Sequence, residues 1–203
     1  MEASMESEGS QIAETPEQSP TEQKPVFKQP REVLVREIVE TLLLTLFIFW
    51  IVNTVTGRFR IEGSSMMPTL KEGEMVIINK LSYYLDEPER GDIIVLHFPN
   101  DRSREFIKRL VGVPGDHIEV ADGVVSINGI ALDEPYINEE PAYVGSWEVP
   151  EGQYFVLGDN RNNSSDSHIW SFLPREDIVG KAWVIYWGPE DWGLVPHYSP
   201  HIG

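Results

Sequence analysis

The sequence predicts an all-β fold: an antiparallel-sheet domain with a small β-hairpin insertion, preceded by one N-terminal transmembrane helix. Short β-branched or aromatic runs recur beyond residue 56, each bounded by Gly, Pro, Asp or Asn. Asp122-Gly123 and Asn128-Gly129 are hairpin signals, because these residues tolerate positive φ. A single apolar run, Ile38 to Val55, carries Glu40 as its one charge and is long enough to cross a bilayer.

Residues 1–30 are rich in Glu, Ser, Gln and Pro and nearly devoid of large apolar side chains. Such a segment cannot bury enough surface to offset its ordering entropy, so it reads as a disordered acidic tail. Residues 31–57 read as the membrane anchor. Leu42-Leu43-Leu44 and Leu46-Phe47-Ile48-Phe49-Trp50 are apolar all round, which suits lipid, and the following domain is too small to bury such a helix. The run begins well inside the chain, behind the acidic tail, and no small-x-small site follows it, so a retained span is expected rather than a cleaved signal. Lys24, Lys28, Arg31 and Arg36 precede it and Arg58, Arg60 and Lys71 follow, a slight lean toward a cytoplasmic N-terminus.

Residues 58–203 read as the folded domain. Strands are expected at Met75–Ile78, Ile93–Leu96, Tyr154–Leu157 and Ala182–Trp187. Ile118–Val120 and Val124–Ile127 fall in a small β insertion spanning 115–150. No long amphipathic helix follows Val55. The spacing of Trp183 and Trp187 predicts burial on one strand face, and Trp192 sits in a Gly- and Pro-rich stretch that suits either a lipid interface or a packed loop. The formal net charge of −17 disfavours nucleic acid as a partner, since phosphates need a basic surface. There is no cysteine, which excludes disulfides and thiolate metal sites. His97, His117, His168, His197 and His201 show no metal-ligand spacing, and no cofactor is expected.

Three segments carry chemistry. In Gly63-Ser64-Ser65-Met66-Met67-Pro68 two small residues precede a serine, so a substrate backbone could approach closely. Met67 stands where the second Gly of a Gly-x-Ser-x-Gly elbow would be, and a plain Ser-Ser turn between strands is the alternative. In Glu105–Asp116, strand alternation places Lys108 between Phe106 and Leu110 on one face. Burial would lower the amine's pKa from about 10.4 toward a useful base. A lysine snorkelling to water is the alternative. The third segment, Gly158–His168, is dense in hydrogen-bonding side chains. It fails the EF-hand template, with Ser164 in the glycine position and Trp170 in the place of the bidentate Glu. It reads as a solvated loop or as a brace for an active site. His168 with Asp166 leaves a Ser–His–Asp arrangement open as well.

In order and spacing, Ser65-Met66-Met67-Pro68-Thr69-Leu70, Gly91–Val95, Phe106–Asp116 and Gly158–Ser167 resemble the signature boxes of type I signal peptidases, and the apolar run resembles that family's anchor. The resemblance runs from about Arg31 to Trp187 and implies a membrane-bound Ser/Lys endopeptidase that removes signal peptides from preproteins. Ser65 would be the nucleophile and Lys108 the general base. The hydroxyl of Ser164 would orient the lysine. Asp159, Arg161 and Asp166 would hold the frame. Ile61, Met66, Leu70 and Ile107, with Phe106 beside them, would shape shallow pockets for small side chains before the cut. The implied setting is a cell membrane crossed once, the N-terminus cytoplasmic and the catalytic domain outside, alongside the protein export machinery.

Departures from the family pattern bear on the site. Gly63 stands where some members carry a serine whose hydroxyl helps bind the oxyanion, so the hole would rest on the Ser65 N–H and another donor. One missing donor can cost on the order of 10²-fold in rate. Asn162 replaces a usual Asp, and His168 a common Arg. Beyond the span lie 12 Lys or Arg and 24 Asp or Glu, hence −12. Such a body is repelled by anionic lipid, so docking should be apolar, through an exposed patch near Ser65. Two other readings share these features: a LexA-like self-cleaving Ser–Lys protease, and a non-catalytic membrane-anchored β-module that binds exported peptides.

Overall fold

The computed structural model describes residues 31–188 and 192–198. The expected tail, 1–30, and His201 lie outside the described residues. Helix α1, Arg31–Val55, is 25 residues long, or roughly 37 Å at 1.5 Å per residue, enough to cross a bilayer. None of its residues is buried by protein. Glu32 lies in its first turn, and Arg36 pairs with Glu40 one turn on at 2.7 Å, which keeps the charges at the N-terminal end of the helix.

The chain passes directly from α1 into β1, Thr56–Arg60. Then come β2 (Met75–Asn79), the single turn α2 (Ser82–Leu85), β3 (Ile93–Phe98) and β4 (Asp101–Gly112). β5 (His117–Ala121), β6 (Val124–Ile127), β7 (Ile130–Ala131) and β8 (Gly145–Glu148) follow. The chain continues through β9 (Gln153–Leu157), α3 (Ser167–Trp170), β10 (Leu173–Pro174), β11 (Ile178–Trp187) and β12 (Gly193–Leu194). One sheet has the order β1-β2-β11-β3-β4-β9-β10, with β12 against β11. A second has the order β7-β6-β5-β8 and lies in sequence between β4 and β9. Every pairing is antiparallel. Asp122, Gly123, Asn128 and Gly129 all adopt positive φ, as the hairpin signals require.

Alternation along β3 shows why the large sheet is buried on both faces. Ile93 and Val95 enter one core cluster with Ile61, Met66, Leu70, Ile107 and Ile185. Ile94 and Leu96 enter another with Leu110, Tyr154 and Leu173. A third cluster joins Val111, Phe155 and Leu157 to Ile118, Val120, Val125 and Ile127, which seals the small sheet onto the large one.

The expected burial of Trp183 and Trp187 is wrong: they are 53% and 65% exposed. β11 slips register between Ala182 and Val184 and again between Ile185 and Trp187. Each bulge inserts a residue and shifts the alternation. Ala182 and Ile185, three apart, therefore share the core, and the indoles turn outward. Trp192, at 81%, is exposed as well.

Candidate active site

The link between β1 and β2 is a compact turn that buries Ile61, Met66 and Leu70 and leaves Met67 exposed. Ile61, Met66 and Leu70 are at most 2% exposed, and burying each contributes roughly 1.5–3 kcal/mol. Met67 N–H donates to Ser64 O and Leu70 N–H to Met66 O, so the turn is closed on itself. Gly63 has φ +80, a conformation that disfavours any side chain, with open space around it. Ser65 lies between these anchors, half-buried. The residues expected to shape the substrate pocket thus divide. Ile61, Met66 and Leu70 are packed in the core, whereas Phe106 and Ile107 line a groove of about 430 Å³ together with Phe59, Glu62, Ser65 and Lys108.

β4 delivers Lys108 to the same place. Its side chain is 3% exposed, with Nζ 2.8 Å from Ser65 Oγ and donating to Ile107 O at 2.8 Å. The Phe106 ring centroid is 5.3 Å from the amine. Burial pushes the Lys108 pKa down from 10.5 to about 8, against the pull of the Asp166 and Asp159 carboxylates, which favour the ammonium. At pH 8 about half the molecules carry an amine able to accept a proton from Ser65.

The Gly158–His168 loop is tied into this arrangement at every turn. Asn160 N–H donates to Ser65 O at 3.0 Å, Asn160 Nδ2 to Ser64 O at 3.1 Å, and Asn163 Nδ2 to Ser64 Oγ at 2.9 Å. Asp159 is fully buried and accepts from Arg109 Nε and Nη2 at 2.8 and 2.7 Å and from Thr69 Oγ1 at 2.5 Å. Arg161 donates to Gly158 O at 3.1 Å and forks onto Glu134 at 2.7 and 2.6 Å. Asp166 accepts from Gly158 N–H at 2.8 Å and caps α3 by accepting from His168 N–H. Gly158 permits the contact: a Cβ there would lie 2.5 Å from Ser65 O and 2.2 Å from Ser164 Oγ.

The bond expected of Ser164 is not formed among the described residues. Its hydroxyl is buried beside Gly158 but has no hydrogen-bond partner, so it makes no bond to Lys108 here. The His168 ring does reach Asp166, 2.6 Å away, and stacks on Tyr143, but it makes no hydrogen bond to Ser65. Three contributors have no role that the motifs assign, although Arg109 lies within one of them. Glu134 and Tyr136 come from the small-sheet insertion, and Arg109 pairs across 50 residues. Only the run of three ionisable or aromatic side chains at Asp133, Glu134 and Tyr136 offered a signal, and it is not specific. Among the described residues no group of His, Asp and Glu could hold a metal ion.

A family described as signal peptidase, peptidase S26, matches residues 34–187. A probable signal peptidase I-2 of Synechocystis sp. is 43% identical over 176 residues, covering 83% of this chain and 80% of that protein. Signal peptidase I of Leptolyngbya laminosa is 39% identical over 184 residues, covering 85% and 89%. Among solved structures, a signal peptidase I of Enterococcus faecalis is 34% identical, covers 47% of this chain and 97% of that one, and has a TM-score of 0.44.

The depressed pKa has a thermodynamic consequence. A lysine at about 8 in the fold and 10.5 when exposed costs about 3 kcal/mol of stability below pH 8, and this cost disappears as pH rises through 10.5. Lys108→Met should therefore be more stable than the parent at pH 7, by about 2 kcal/mol after loss of the bond to Ser65. The gain should shrink between pH 8 and 10.5, and denaturant melts at both ends of that window measure it.

Proposed function

Because the chain belongs to the signal peptidase family, peptidase S26, and is a serine peptidase, we propose that it removes N-terminal signal peptides from exported preproteins, with Ser65 as nucleophile and Lys108 as general base. One observation carries this reading: a buried amine 2.8 Å from a serine hydroxyl. Neutral Lys108 takes the Ser65 proton as Oγ attacks the scissile carbonyl carbon. The Ser65 N–H, which donates to nothing in the described structure, is free to hold the oxyanion. Gly63, at positive φ, leaves that space open. The ammonium of Lys108 then protonates the leaving amine, and water attacks the acyl-enzyme with Lys108 again as base. Asp166 and Asp159 favour the ammonium while it exists. The unpaired Ser164 hydroxyl supplies an acceptor for it, and Asp159, Arg161 and Asp166 fix the loop against Ser64 and Ser65.

Substrate docking follows from strand edges. Among the described residues β1 pairs only with β2, which leaves its other edge without a strand partner there. β4 pairs with β9 only from Arg109 onward, which leaves its edge at 103–107 open. Both edges border the groove that ends at Ser65 and Lys108. An extended peptide lying there gains main-chain hydrogen bonds that do not depend on its sequence. That suits an enzyme acting on many preproteins. Phe59, Phe106 and Ile107 narrow the groove and favour small side chains.

Helix α1 is a candidate membrane span. We assign it as a single-pass anchor, with the N-terminus cytoplasmic and the catalytic domain on the far side, alongside the export machinery. The domain beyond the span carries −12 (12 Lys or Arg against 24 Asp or Glu), so lipid contact must be apolar. β11, β12 and Trp192 just before β12 present Trp183, Trp187, Trp192 and Leu194, 53–81% exposed, and indoles favour the lipid interface.

Cleavage of a preprotein in detergent tests the dyad. Ser65→Ala and Lys108→Ala should each lower kcat/KM by about 10³-fold or more. In the parent, kcat/KM should fall about tenfold per pH unit below 8 as Lys108 protonates. Substantial activity in either variant would break the assignment. For the lipid face, replacing Trp183, Trp187 and Trp192 by Ser should weaken the binding of α1-deleted protein to vesicles by about tenfold or more, with cleavage of short soluble peptides unchanged.

A further inference from the structure

The residues beyond 187 lie outside the family match, yet 193–198 are fastened to the catalytic domain at successive points. β12 pairs with β11, and Val195, 3% exposed, sits in the core cluster with Ile61, Met66 and Ile107. Val195 N–H donates to Trp183 O at 2.9 Å. The next anchor is a side chain spliced into the sheet. The ladder between β3 and β11 ends at the Ile94–Lys181 pair. One step further, where Ile93 and Ala182 would face each other, the His197 imidazole fills the gap. Its Nδ1 accepts from Ile93 N–H at 3.0 Å and its Nε2 donates to Ala182 O at 2.8 Å. Those two bonds require the neutral ring protonated on Nε2. Burial and the Lys181 ammonium favour that form, against the Ala182 carbonyl and the Asp92 carboxylate.

Tyr198 then reaches the charged frame behind the dyad. Its N–H donates to Gly91 O, the carbonyl that also accepts from Arg109 Nη1 at 3.0 Å. Its hydroxyl donates to Asp133 at 3.0 Å, and its ring lies against Tyr136, centroids 5.4 Å apart. The Tyr136 ring in turn covers the Arg109 guanidinium at 3.9 Å. Arg109 forks onto Asp159, whose charge acts on Lys108.

We propose that the C-terminal strap is a positioning element of the active site: Tyr198, seated by His197, clamps Tyr136 on Arg109 and so keeps Arg109 on Asp159, which sets the field at the general base. The proposal rests on the Ser65–Lys108 reading, and among the described residues no hydrogen bond joins the strap to either residue. Its signature is electrostatic. When the clamp loosens, Arg109 neutralises Asp159 less well, the negative field at Lys108 grows, and the ammonium is favoured.

The test uses the full chain in detergent with a preprotein substrate. Tyr198→Ala should move the acidic limb of kcat/KM upward by about half a pH unit, equivalent to about a threefold loss at pH 7. KM should stay within about twofold, because the groove is untouched. Tyr198→Phe keeps the ring on Tyr136 and should leave the limb near its parental position. Tyr136→Leu removes the cover on Arg109 directly and should shift the limb in the same direction, which keeps the idea testable if Tyr198→Ala folds poorly. An unmoved limb in folded Tyr198→Ala or Tyr136→Leu, with or without a lower Tm, overturns the proposal. A parent enzyme with no acidic limb would instead remove the lysine-base reading, so the two failures are distinguishable.

Discussion

An amine held out of water is the constraint on which this structure turns. Lys108 is 3% exposed and 2.8 Å from Ser65 Oγ, and its burial lowers its pKa to about 8. That state is unfavourable by about 3 kcal/mol relative to a solvated lysine. It persists because the strand carrying it is paired on one edge with β3 and, from Arg109 onward, with β9 on the other, with both faces of the sheet covered. The serine is fixed independently, by a turn rooted in the core through Ile61, Met66 and Leu70. Two rigid supports, meeting at one hydrogen bond, let the contact form without either side chain having to be ordered at the moment of reaction.

A buried lysine that is to act as a base also needs compensation for the charge that it would acquire. Asp166 and Asp159 provide it, and each is itself tied down. Asp166 accepts from the Gly158 N–H, and Asp159 from Arg109 and Thr69. The Asp159 charge favours the Lys108 ammonium, and an unpaired Asp159 would favour it more. Arg109 tempers it. In the proposed mechanism the frame would balance two opposing demands, a neutral lysine before attack and a stabilised one after it. Glu134 and Tyr136 show that the small sheet takes part, since they hold Arg161 and cover Arg109.

Much of this was legible in the sequence. Strand runs such as Ile93–Leu96 and the Asp-Gly and Asn-Gly turns have local physical causes, and they appear where local rules put them. Trp183 and Trp187 show where local rules stop. Alternation holds only while the ladder is regular, and two bulges in β11 reversed it. The proposed pair Ser65 and Lys108 and the frame residues Asp159, Arg161 and Asp166 could be named from ordered motifs, but the partners that hold the frame could not. Arg109 meets Asp159 across 50 residues, and Glu134 meets Arg161 across 27. The first pair depends on β4 and β9 lying side by side in one sheet, and the second on where the small-sheet insertion folds back; no short pattern encodes either. Ser164 shows the reverse case: its buried place beside Gly158 suits the expected role, while its hydroxyl makes no bond in the described structure.

The central claim is that Lys108 is a neutral amine near physiological pH, and its protonation can be read directly. Lysine labelled with ¹³C at Cε, followed by NMR through a pH titration of the catalytic domain and of Lys108→Met for assignment, isolates this one side chain. A Lys108 resonance titrating near pH 8, well below the other lysines, is the result this account predicts. A resonance titrating with the surface lysines at about 10.4 would contradict it.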